Sequence, residues 1–211
     1  MSLELPVATY SGYKMHSEDL TPRVYSLFQK SVEAKMQVGE ELAPQIALAA
    51  HIIVQALLDN KKVLICGNGN SAALAQVFAS SLVDRFERER PGLPAIWLGG
   101  NVSCCTAITS DSGIEEVYAK QVRALGQEND ILCVISTDGN SNNLISAIHA
   151  ARDRDMSVIA FTGQGGGKII EIQQEDDVHI CANINSRARI NEVHLLSLFC
   201  VCDLIDSHLF G

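Results

Sequence analysis

Five short apolar runs, set apart by stretches of helix length, limit this chain more tightly than any other feature. They are KVLIC (62–66), PAIWL (94–98), DILCVIS (130–136), SVIAFTG (157–163) and DVHIC (177–181). Each is nearly continuous in apolar residues rather than alternating, which predicts strands buried on both faces. Ser71–Phe86, Ile114–Leu125 and Asn140–Arg152 fill the gaps with helical patterns. Strand–helix alternation of this kind predicts a doubly wound α/β fold around a parallel sheet. Before this core, at about 62–182, the apolar period is helical over about 20–59 and is broken near Glu41–Pro44, which reads as a helical hairpin. A long C-terminal helix is expected from about Arg187 to Leu209. At 211 residues, 47% hydrophobic, the chain suits a single domain over 20–211 behind a flexible leader, 1–19.

The charge balance narrows the function classes. Sixteen basic residues against twenty-five acidic ones give a net charge of −9, the wrong sign for direct grip on nucleic acid. Arg85, Arg88 and Arg90 are interleaved with Glu87 and Glu89 and read as a solvated helix end. No apolar run approaches the ~18 residues that span a bilayer. The opening MSLELPVATYSGYK lacks the basic and apolar regions of a signal peptide. A cytoplasmic protein without membrane contact is expected. The seven cysteines include no CxxC pair and read mostly as small apolar core residues of a reducing compartment.

Two turns share a spelling. CGNGNSAA (66–73) and STDGNSNN (136–143) each follow an apolar run and open a helical pattern. In such folds ligands bind beyond the carboxyl ends of the strands, where these turns lie. Glycine admits close approach of the backbone, and a helix N-terminus offers free N–H groups with partial positive charge. With the hydroxyls of Ser136, Thr137 and Ser141, the second turn could cradle a phosphate. Serine and asparagine serve equally well as plain helix caps, so both readings stand at this point.

Three sharper motifs fail. GNGNSA fits the dinucleotide pattern G-x-G-x-x-A, but the second strand ends in Gly99-Gly100-Asn101, where a ribose-binding acid belongs. TGQGGGK is no phosphate loop, because Ile169 stands where Ser or Thr would hold magnesium. The histidines are scattered, with His51 and His149 in helices and His179 in a strand, and suggest no metal centre.

CGNGNSAALAQ, FERERPGLPAI, ISTDGNSNN, VIAFTG with GGK, and RINEVH together resemble the SIS (sugar isomerase) domain proteins of the phosphoheptose isomerase group. EEVYAKQVRALG and CVCDLIDSHLF are most similar to the branch that associates with the replication initiator DnaA. The resemblance runs from about Leu20 to the C-terminus. It implies a three-layer SIS sandwich with a five-stranded parallel sheet, long N-terminal helices and a long C-terminal helix, assembled as a homotetramer. It also implies that Asn68, Gly69, Asn70, Ser71, Ser136, Thr137 and Ser141 hold a sugar phosphate, with Asp111 as a substrate-side acid. Asp138 replaces a small serine, and a carboxylate there repels phosphate unless it turns away.

At the positions matching the isomerase's zinc and acid/base residues, this chain has Val77, Ser81, Asn191 and Phe199, and Ala188 replaces a further aspartate. Valine and phenylalanine cannot ligate a metal. The expectation is therefore a non-enzymatic protein, without metal or cofactor, that binds DnaA and promotes its assembly at the chromosomal origin. Leu209 and Phe210 would belong to the contact surface, with packing on the protomer's own last helix or on a tetramer neighbour as the competing reading. The alternatives are a phosphoheptose isomerase acting on sedoheptulose 7-phosphate, or a sugar-phosphate-binding sensor.

Overall fold

The computed structural model describes residues 19–211; the expected leader lies outside the described residues except for Asp19. All five predicted strands form: β1 Val63–Gly67, β2 Ala95–Trp97, β3 Ile131–Ile135, β4 Ser157–Gly163 and β5 Val178–Ala182. They pair in parallel in the order β2-β1-β3-β4-β5. Among the described residues seven α-helices accompany them: α1 Thr21–Leu58, α2 Asn70–Val83, α3 Val102–Ser112, α4 Ala119–Leu125, α5 Asn142–Arg152, α6 Gly167–Glu171 and α7 Arg187–Phe210.

The two faces of the sheet carry separate cores because successive strand residues point to opposite sides. Val63, Ile65, Ile131, Cys133, Ile135, Ile159 and Phe161 pack under α1, α2 and α7. Leu64, Cys66, Leu132, Val134, Val158 and Ala160 pack under α4 and α5. This is the three-layer sandwich. Burial on both faces holds for β1, β3 and nearly all of β4, but not at the sheet's edges. In β5, Val178, Ile180 and Ala182 are buried while His179 and Cys181 are half-buried.

Three sequence expectations need correction. The N-terminal segment is one continuous helix, not a hairpin, with Pro44 inside it. An interior proline forfeits a backbone hydrogen bond, but Leu42, Ala49, Ala50 and Ile53 anchor α1 into the core on both sides of the break, so packing outweighs local preference. Apolar length is also present after all: α1 and α7 are both long and apolar enough to cross a membrane. Here 33% of that apolar stretch in α1 and 44% of it in α7 are buried inside the protein. Finally, Arg90 is not solvated. Its side chain is 1% exposed and bonds to Asp206 at 2.6 Å, and it donates to the carbonyls of Leu82 and Ser81 at 2.9 and 2.7 Å.

Candidate functional site

The strand order places a topological switch at the centre of the sheet. From β1 the chain crosses to β2 on one side and then to β3 on the other, and Gly67 pairs with Ile135 where β1 and β3 end. The helices leaving those two ends diverge, which opens a crevice. Both repeated turns sit there because the topology puts both strand ends there.

The first turn depends on its glycines. Gly67 allows close packing, since a Cβ would lie 2.7 Å from the Ser71 carbonyl oxygen and 2.9 Å from that of Ile135. Gly69 has φ 55° and ψ −124° at the N-cap of α2, a conformation that side chains disfavour. Asn68 and Asn143 of α5 exchange two amide hydrogen bonds, each of 2.9 Å. The Tyr118 hydroxyl donates to the Gly67 carbonyl at 2.6 Å. The two turns are thereby tied to each other.

The second turn is braced internally. The Ser136 Oγ accepts from the Gly139 N–H at 3.0 Å and donates to Asp138 Oδ1 at 3.3 Å. The same Asp138 oxygen accepts from the Asn140 N–H at 3.1 Å. Ser141 is the N-cap of α5, yet its hydroxyl makes no cap bond. The plain-cap reading therefore fails at Ser141, whose hydroxyl remains free for a ligand. Ser136 spends its hydroxyl within the loop.

These turns enclose a polar cavity of about 390 Å³ lined by Asn68, Gly69, Asn70, Ser71, Ser136, Thr137, Asp138 and Ser141, closed on the far side by Arg187 and Asn191 of α7. Seven of the eight residues expected to hold a sugar phosphate are brought together. Asp111 is not: it lies exposed on α3, and its neighbours Thr109 and Ser110 line an adjoining cavity that also borders Asn68. Asp138 does not turn away from the cavity. It remains on the wall, held by its own loop. The sequence reading missed Arg187, the one cation among the lining residues.

The zinc implied by the resemblance does not fit these residues. Val77 is exposed on α2, and the Ser81 hydroxyl donates to the Val77 carbonyl at 2.9 Å. Phe199 packs against Phe86, the rings tilted by 40° with centroids 5.4 Å apart, and lines a different, apolar cavity beside Leu42 and Ile46. Only Asn191 reaches the polar one, and no three His, Cys, Asp or Glu side chains converge as a metal site among the described residues. Asn191 and Phe199 lie eight residues apart, ~12 Å along one helix, so one ion could meet both positions only by drawing on a second copy. That copy would supply the same valine and phenylalanine.

A polar cavity at the switch point of a five-stranded α/β sandwich defines a class, and the SIS-domain model matches residues 27–163. The chain belongs to the SIS-domain family, within its phosphoheptose isomerase group. A phosphoheptose isomerase from Chromohalobacter salexigens is 48% identical over 193 residues, covering 92% of this chain and 98% of the relative. One from Aromatoleum aromaticum is 51% identical with the same coverage. The solved phosphoheptose isomerase from Francisella tularensis superposes with a TM-score of 0.85 at 44% identity, covering 89% of this chain and 98% of that one.

These relatives overturn the expectation of a non-enzymatic DnaA-binding protein, because proteins alike over nine-tenths of the chain are named for an isomerase. EEVYAKQVRALG places Val117, Tyr118, Ala119, Gln121 and Val122 in the interior. CVCDLIDSHLF does the same with Val201, Cys202, Ile205 and Asp206. Both contribute residues to the interior. Leu209 packs against the core, and the Phe210 ring lies 6.0 Å from the Arg90 guanidinium while its carbonyl accepts from Arg88 at 3.1 Å. Both C-terminal side chains are thus half-buried.

Proposed function

We propose that this chain is a phosphosugar isomerase of the phosphoheptose class, with sedoheptulose 7-phosphate as its substrate. The observation that carries the proposal is the polar cavity at the switch point, where the free Ser141 hydroxyl, Thr137 and the α5 N-terminus face Arg187 and Asn191. Hydroxyls, helix-terminal N–H groups and one guanidinium suit a phosphate. The carboxamides of Asn70 and Asn191 suit sugar hydroxyls. The isomerisation step is supported by the names of the relatives. The seven cysteines are all free, which agrees with a reducing, cytoplasmic setting.

Interconverting a ketose and an aldose moves a proton between adjacent carbons of the open-chain sugar. In this chain the residues bind and orient that sugar, with no step assigned to a metal. The test is conversion of sedoheptulose 7-phosphate to the aldose, followed by NMR with and without a chelator. Turnover that survives chelation is expected. Saturable binding without conversion would overturn the isomerase reading.

A further inference from the structure

The polar cavity holds one acid and one cation, and the protein neutralises neither. Asp138 and Arg187 both line it, and neither enters an ion pair among the described residues. Asp138 cannot easily leave, because its Oδ1 accepts from Ser136 and from the Asn140 N–H. Its charge opposes any phosphate entering the cradle. Arg187 occupies an awkward place of its own. It is the first residue of α7, a helix with no acid in its first turn, and a cation there works against the helix dipole. A residue set against its local preference, exposed and unpaired beside a ligand cavity, marks a use outside the helix. One turn later, Asn191 donates from Nδ2 to the Arg187 carbonyl at 3.0 Å. The Asn191 Oδ1 is buried with no partner on the same cavity wall.

We infer that Arg187 determines specificity for the anionic end of the ligand: its guanidinium offsets Asp138 and takes the phosphate, while Asn191 Oδ1 accepts from a sugar hydroxyl beside it. A planar fork of N–H donors suits a phosphate better than a point charge does. The pair Asp138–Arg187 also sets the ligand class. With Arg187 in place the cavity favours phosphorylated sugars over uncharged ones; without it, Asp138 leaves a net negative wall. This inference rests on the phosphosugar reading above.

Calorimetric titration of full-length protein with inorganic phosphate and with sedoheptulose 7-phosphate tests it, on wild type, Arg187→Ala, Arg187→Lys and Asp138→Asn. Wild type should bind both. Arg187→Ala should weaken both roughly 10-fold or more, the loss of one charge-assisted contact, with an unchanged melting temperature because the side chain is exposed. Arg187→Lys should recover part of the loss, and Asp138→Asn should tighten binding. In the isomerase assay, Arg187→Ala should raise KM by more than it lowers kcat. Equal affinity of wild type and Arg187→Ala would overturn the role of Arg187 and leave the phosphosugar reading standing. Failure of wild type to bind either ligand would remove both.

Discussion

His194 shows how one buried ring constrains the working range of the molecule. It is fully buried, with Nε2 2.8 Å from the Thr162 carbonyl oxygen and its ring edge-on to Phe161 at 6.0 Å. Burial pushes its pKa down to about 4, from an ordinary 6.5, so the folded protein holds it neutral. Below pH 6.5 the unfolded chain takes up a proton that the folded chain refuses, and stability falls with pH until about 4. The loss reaches about 3 kcal/mol at full extent. Melting curves from pH 7 to pH 4 should show this decline, and His194→Gln should flatten it. A wild-type curve without slope in that window would contradict the assignment. The metal question also belongs to single residues: Val77 and Phe199 have no donor atom to offer, whatever surrounds them.

Elements explain what the sequence could and could not reveal. The strands were legible because burial on both faces leaves a local signature, a run of apolar residues such as ILCVI in β3. Helix α3 was missed because VSCCTAITSDS is rich in β-branched residues and has none buried, so no apolar period marks it. Its one cue was Asn101, which accepts from the Cys104 N–H at 3.0 Å. The twin turns were legible as motifs, whereas Arg187 was not. Its relevance depends on α7 crossing to the β1–β3 crevice, a fact of topology and not of spacing. Arg90 was misread for the same reason, since its partner Asp206 lies 116 residues away. That pair links the C-terminal end of α2 to α7. Arg90→Ala strands a buried carboxylate and should cost about 3–5 kcal/mol, measurable by denaturant unfolding. A loss below about 1 kcal/mol, the range of surface pairs, would show that the site rehydrates.

At the scale of the whole molecule, α1 stands out. Val24, Phe28, Val32 and Met36 are 52%, 69%, 60% and 75% exposed, and their four-residue spacing places them along one side of the helix. An apolar stripe of this kind marks an association surface. Light scattering should find an assembly larger than one chain, as the family resemblance implies with its tetramer. Phe28→Asp combined with Met36→Asp should shift it to smaller species. A wild-type monomer would refute this use of α1. Within the chain, the paired carboxamides of Asn68 and Asn143 have a consequence for heredity. Losing Asn68 leaves the donor and the acceptor of the buried Asn143 carboxamide without their partners, whereas losing Asn143 leaves the exposed Asn68 with water and with the Tyr118 hydroxyl, which donates to its Oδ1 at 3.4 Å. Of two codons 75 positions apart, the one for residue 68 is therefore expected to be the harder to change alone, which denaturant unfolding of the two single alanine variants would read as a larger loss for Asn68→Ala.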